Sequence, residues 1–213
     1  MRIGQERYRA IRFIRLEQEY TSTSSFISKN TIFGILTLKD LIIAAILGIM
    51  GGFISSLVPF SLVIKIIYPF MGGTQLVSGH HVLWMAIAYG LTRKKAAPLI
   101  TAFIKGILES LMGEEVGAFI IVINLLEGIA LVAGFWLMEK FSEGDTNLGW
   151  AIAGGLGNFS QAPVFWALTG KFITLHYSLA ILSLIFAFLS GVLITGLLGR
   201  AIVKLIKKAE GDT

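Results

Sequence analysis

Lys105 and Glu109 stand four residues apart in an otherwise apolar run, so on a helix they share one face and can pair. Glu127 lies in the middle of the next apolar run, and Asn124, three residues before it, falls on the same face. Ionisable groups are expensive in hydrocarbon, where they serve either to join helices or to hold a ligand or ion. The Lys105–Glu109 spacing admits both readings. Glu127 has no cation close to it in sequence, which favours contact with a ligand or water. Glu114 and Glu115 read as a solvated turn. If these acids line a site, it suits a cationic or amino-bearing ligand.

Other polar and aromatic residues gather near the same ends of the apolar runs: His80, His81 and Trp84, then Asn158, Gln161 and Trp166. Trp166 beside Asn158 and Gln161 could stack on a flat ring, or it belongs to the interfacial aromatic belt. Trp136 and Trp150 are expected in that belt. Neighbouring histidines on a helix point about 100° apart. Without cysteine or a clear third ligand, His80-His81 is a poor metal site, and no metal or cofactor is expected. Thr169-Gly170-Lys171 lacks the spacing of a nucleotide-binding phosphate loop. No hydrolase or metalloprotease motif is visible. Energy for any active transport would come from an ion gradient or a partner, and the chain reads as a non-enzyme.

The elements that must position these residues are membrane helices. Of the 213 residues, 55% are hydrophobic and 15% charged, against roughly 25% charged in an average soluble domain. A crossing takes roughly 20 apolar residues, so six crossings with short loops use most of the chain. The expected class is an all-α integral membrane bundle of about six helices, 38–58, 76–91, 96–112, 118–138, 148–168 and 178–199. A Gly/Pro-bearing loop, 59–78, follows the first. Gly113-Glu114-Glu115-Val116-Gly117 is a tight turn, 139–147 a polar loop, and the residues from Arg200 a basic tail. Domain bounds are placed at 1–31 (basic segment and linker), 32–208 (bundle) and 209–213 (tail). The basic segment suits a helix on the membrane surface or a solvated extension equally. It has no uninterrupted apolar core, so a secretory signal is not expected. The positive charge follows the membrane rather than nucleic acid. One side holds the seven Lys/Arg up to Lys39, Arg93, Lys94, Lys95, Lys140 and the four from Arg200 on, against Lys65 and Lys171 opposite. This asymmetry puts both termini in the cytoplasm and the 59–78, 113–117 and 169–177 loops outside. Ala44, Gly48 and Gly52 form a small-residue ridge on the first helix, suited to internal packing or to docking a partner helix.

The stretch Val77–Phe135 resembles the S components of energy-coupling factor transporters, in the hydroxymethylpyrimidine and thiamine branch. The resemblance rests on a short Trp-containing span, the basic turn Arg93-Lys94-Lys95 before a Pro-bearing helix start, Leu108-Glu109-Ser110-Leu111-Met112-Gly113, and a Val/Ile-rich fourth span with a polar residue before Gly128. It implies a six-helix prokaryotic cell-membrane protein that binds a vitamin at the outer face. It also implies partners: a transmembrane coupling protein, met through the Ala44–Gly48–Gly52 ridge, and two ATPase subunits. Glu109 matches the family's acid in the third helix, while Glu127 stands where an amide is expected. Together with the reading of the polar and aromatic residues, the candidate substrate site comprises Glu109, Glu127, Asn124, Trp84, Trp166, His80, Asn158 and Gln161, with the 59–78 loop as a lid. The competing reading is a self-sufficient secondary transporter or channel with Lys105, Glu109 and Glu127 as an ion relay. A third is a membrane scaffold in which the buried acids are purely structural.

Overall fold

The computed structural model describes residues 36–57, 73–113, 116–141, 145–170 and 176–211. They belong to a unit that begins at Leu36. The basic segment, Glu114, Glu115 and most of the loop expected to act as a lid lie outside the described residues.

Thr37 starts α1 (Leu38–Leu57) with a reciprocal cap: Asp40 N donates to Thr37 Oγ1 at 3.2 Å, and Thr37 N donates to Asp40 Oδ2 at 2.8 Å. A short 3-10 turn, Gly73–Leu76, precedes α2 (Gly79–Thr92). The expected span at 76–91 is therefore a 14-residue helix, entered through that turn. The chain leaves α2 through Arg93 at φ 56° and enters α3 (Ala96–Leu111). Pro98 costs α3 no hydrogen bond, because the first N–H groups of a helix have no internal acceptor. Gly113 and Gly117 take φ of 86° and 57° in the turn to α4 (Phe119–Phe141), a region open to glycine but strained for other residues. Thr146 caps α5 (Asn147–Thr169) by accepting from Gly149 N at 3.0 Å.

The last helix corrects the expected boundary. α6 runs from Tyr177 to Glu210 without a break, with a π-helical segment at Gly191–Leu198. The residues read as a basic tail are its last three turns. The sequence there changes period from wholly apolar to amphipathic: Val203 is buried, while Lys204 and Lys208 are exposed.

α2 is the central element. It packs against each of the other five helices, while α1–α3, α3–α4, α4–α5 and α5–α6 pack in succession around it. A helix apolar on all sides belongs in an interior, and every residue from Val82 to Gly90 except Trp84 is buried. Its small residues admit close neighbours. A methyl at Gly90 would lie 2.6 Å from Val203 and 2.7 Å from the Trp150 ring. α5 and α6 touch backbone to backbone, since a methyl at Gly154 would meet the Gly191 carbonyl at 2.5 Å. The outward faces stay apolar, as with Ile42, Ile46, Phe53, Ile129 and Ile185.

Among the described residues three helices, α1, α4 and α6, are long and apolar enough to cross a membrane. α2 and α3, at 14 and 16 residues, are about 21 and 24 Å long, shorter than a hydrocarbon core of roughly 30 Å. α5 has the length, but its interior carries Asn158, Ser160 and Gln161.

Candidate functional site

Lys105 and Glu109 form the pair their spacing predicts, with Nζ 2.5 Å from Oε1 and both side chains wholly buried. The structure adds a third member. Asn124 of α4 accepts from Lys105 Nζ at 2.7 Å and donates from Nδ2 to Glu109 Oε2 at 2.6 Å. The same Nδ2 reaches the Ile120 carbonyl at 2.9 Å, which fixes the amide's orientation. His81 approaches from α2, its Nδ1 3.4 Å from Lys105 Nζ and 3.6 Å from Glu109 Oε1. Two opposite charges therefore close on each other inside a shell of hydrogen bonds, the arrangement a buried ion pair needs to repay its desolvation.

Glu127 is different. It is 1% exposed, and its Oε2 has no hydrogen-bond partner among the described residues. Lys105 and Glu109 lie within electrostatic reach, but both are engaged with each other. Its backbone carbonyl lies opposite Gly157 of α5. Gln161, one turn further along α5, donates to Gln75 Oε1 at 3.2 Å. Asn158 donates to Ser78 Oγ at 2.8 Å and to the Ala187 carbonyl at 2.6 Å, and its Oδ1 has no partner among the described residues. The entrance of α2 is thus lined by polar groups from α3, α4 and α5, and two of their buried acceptors are uncommitted. Such acceptors cost roughly 1–3 kcal/mol each when no donor reaches them.

The remaining expected residues are placed as follows. His80 directs Nδ1 to the Val77 carbonyl at 2.7 Å, and its ring lies 4.0 Å from that of His81. Among the described residues no group of three His, Cys, Asp or Glu is placed to hold a metal ion. Trp84 lies against α1, where a methyl at Gly51 would touch its ring at 2.8 Å, and its buried Nε1 has no partner among the described residues. Trp166 is 7% exposed. The ridge Ala44, Gly48, Gly52 faces inward: Ala44 O accepts from Thr101 Oγ1 at 3.1 Å, Gly48 abuts Ile104 and Gly52 abuts Leu108. It is occupied by α3, and the exposed face of α1 is the one with Ile42, Ile46, Ile49 and Phe53.

A second polar cluster, at the far end of α2, was not anticipated. Asp145 accepts from Arg93 at 2.5 Å, from Arg200 Nε at 3.1 Å and from the Trp150 indole. Arg200 also donates to the Asn147 side chain and the Asp145 carbonyl. Glu139 pairs with Lys95 at 2.6 Å and accepts from Tyr89. Tyr89, Arg93, Glu139 and Asp145 line a cavity of about 310 Å³ together with Phe135 and Trp150. Burial alone would raise the Asp145 carboxyl, but the hydrogen bonds and charges of Arg93 and Arg200 outweigh it and hold it below its ordinary range. Trp150, expected in the interfacial belt, is 2% exposed. Gly90 opens the space into which its ring fits. Trp136 is 42% exposed, with Lys140 Nζ 3.6 Å from its ring centre, as an interfacial residue would be.

Residues 39–159 match the family model described as "ABC-type cobalt transport system, permease component". No curated protein is significantly similar in sequence. The solved structure titled "Crystal structure of an S-component of ECF transporter" superposes with a TM-score of 0.72 at 20% identity, over 83% of this chain and 88% of that one. At that identity the likeness is one of fold.

Proposed function

The chain belongs to the family of ABC-type cobalt transport system permease components, and within it we propose a substrate-capturing membrane subunit of an energy-coupling factor type importer. Six helices cross or line the membrane, with both termini cytoplasmic. The ligand is a thiamine-related pyrimidine or similar vitamin taken at the outer face. It passes to a transmembrane coupling protein driven by two partner ATPases. The matched fold supports the class of subunit, and the basic asymmetry along the chain supports the orientation.

The observation that carries the ligand reading is the contrast between Glu109 and Glu127. Glu109 is fully engaged by Lys105 and Asn124, so its part is to hold the wall in place. Glu127 retains a buried carboxylate oxygen with no partner among the described residues. An exocyclic amine gives it the donor it lacks, and Asn158 Oδ1 can take a second. Trp84 and Trp166 supply ring faces, and His80 and Gln161 flank the entrance.

Cobalt, which appears in the family's description, is a poorer cargo for these residues. Glu109 is neutralised by Lys105, and His80 spends Nδ1 on a carbonyl. The coupling protein reaches α1 through its exposed face or by parting α1 from α3, because the Ala44–Gly48–Gly52 ridge is occupied.

Titration of the detergent-solubilised chain with thiamine and hydroxymethylpyrimidine, beside riboflavin and biotin, tests the reading. Tight pyrimidine binding without ATP or partners is expected. Failure of a folded sample to bind any vitamin overturns it. Transport by the chain alone in liposomes under a pH gradient would replace it with the ion-relay reading.

A further inference from the structure

We propose that the last three turns of α6 form a binding face for anionic phospholipid headgroups. α6 has no charged residue from Tyr177 to Gly199 and then carries Arg200, Lys204, Lys207 and Lys208 within nine residues. That abrupt change sets the hydrocarbon boundary near Gly199. At 100° per residue the four basic positions fall within an arc of about 100°. The helix meets the bundle through Gly199, Ile202 and Val203, which lie about 90–170° from the centre of that arc, with Val203, 2% exposed, against Gly90. The stripe is therefore turned away from the bundle and cannot rotate without pulling Val203 out of the core.

Arg200 is already committed to Asp145 and Asn147. It anchors the stripe and adds little free charge. Lys204, Lys207 and Lys208 form no ion pair with another described residue. Beside them Leu205 is 68% exposed. Exposed leucine next to three uncommitted lysines at a hydrocarbon boundary matches the pattern of a helix surface lying at a lipid interface. Juxtamembrane lysines gain about 1 kcal/mol each near an anionic leaflet. A folded acidic protein would also meet the charge, but it leaves Leu205 in water, so the lipid is the better complement. This inference does not depend on the transported ligand, nor on which leaflet α6 reaches.

The test uses the purified full chain in neutral detergent, titrated with phosphatidylglycerol or phosphatidylcholine, with melting temperature and lipid retention by native mass spectrometry as readouts. Phosphatidylglycerol is expected to raise the melting temperature by several degrees more than phosphatidylcholine. The excess should collapse near 1 M salt, where the screening length falls to ~3 Å. The variant K204Q/K207Q/K208Q should melt like the parent in phosphatidylcholine and lose the excess shift. Equal shifts for the two lipids, an excess that survives salt, or a triple variant that keeps it each overturn the inference. If the variant is unstable in both lipids, the salt series on the parent chain decides. A stripe that ignores phosphatidylglycerol but binds an acidic protein also counts against it.

Discussion

Lys105 Nζ and Glu109 Oε1 lie 2.5 Å apart with neither side chain exposed, so each charge is tolerable only because the other is there. Lys105→Met leaves Glu109 with Asn124 and His81 but no permanent cation, and Glu109→Gln strands the ammonium. Each single change is expected to cost about 3–5 kcal/mol. The double change Lys105→Met/Glu109→Leu removes both charges and should recover most of that loss. Unfolding in detergent checks this. Additive losses would show that the pair is not the unit of stability.

Glu127 gives the opposite result if it serves the ligand. Its Oε2 has no partner to lose among the described residues, so Glu127→Gln should leave the melting temperature close to the parent's. A hydrogen bond to a charged group contributes about 1.5–3 kcal/mol, so affinity for an amino-bearing pyrimidine should fall by roughly 10- to 150-fold. Calorimetric titration of both proteins separates the two effects. A variant that unfolds while the remaining fold binds normally would assign Glu127 to structure.

The Lys105–Glu109 pair was legible in the sequence because a spacing of four is a local fact. Its partner Asn124 was named as a site residue, but its bonds to Lys105 and Glu109 depend on the packing of α3 against α4, which no local pattern fixes. His81 joined the pair for the same reason. Trp150 was misplaced because its position near a span end suits the interfacial belt. The deciding fact is the gap left by Gly90, sixty residues earlier in the chain. The basic residues from Arg200 looked like a tail because charge marks the end of a membrane span. Their helical stripe, with Ile202 opposite, was the available sign that α6 continues. Asp145 drew no attention as an acid in a polar loop, yet it meets two arginines 52 and 55 residues away in sequence.

The α5–α6 seam should be sensitive at Gly154. An alanine methyl there would meet the Gly191 carbonyl at 2.5 Å and Gly196 N at 2.6 Å, all backbone atoms that cannot turn aside. Gly154→Ala is expected to cost about 1–3 kcal/mol through overpacking, despite alanine's better helix propensity. Gly149→Ala is the control, because its methyl meets nothing nearer than Thr146 Oγ1 at 3.2 Å. It should be neutral within about 1 kcal/mol. Equal melting temperatures for the two variants would mean that α5 and α6 are not in backbone contact.

Asp145 gives the fold a pH dependence of definite sign. Burial works against its charged form, but Arg93 and Arg200 more than compensate, so the folded carboxyl lies below its ordinary value of 3.8. A depressed carboxyl contributes stability that is fully present above the unfolded value and is lost as pH falls through the folded one. The melting temperature in detergent should therefore hold level from pH 7 to about 5 and decline below about 4. Asp145→Asn keeps an acceptor for the Trp150 indole but removes the charge. It should melt lower at pH 7, and its curve should be flatter below pH 4, so that parent and variant converge in acid. The carboxylate is partly exposed, at 30% of its side-chain surface, which screens the pairs and keeps the difference modest. Parallel curves for parent and variant down to pH 3 would show that Asp145 does not hold the ends of α2, α5 and α6 together through its charge.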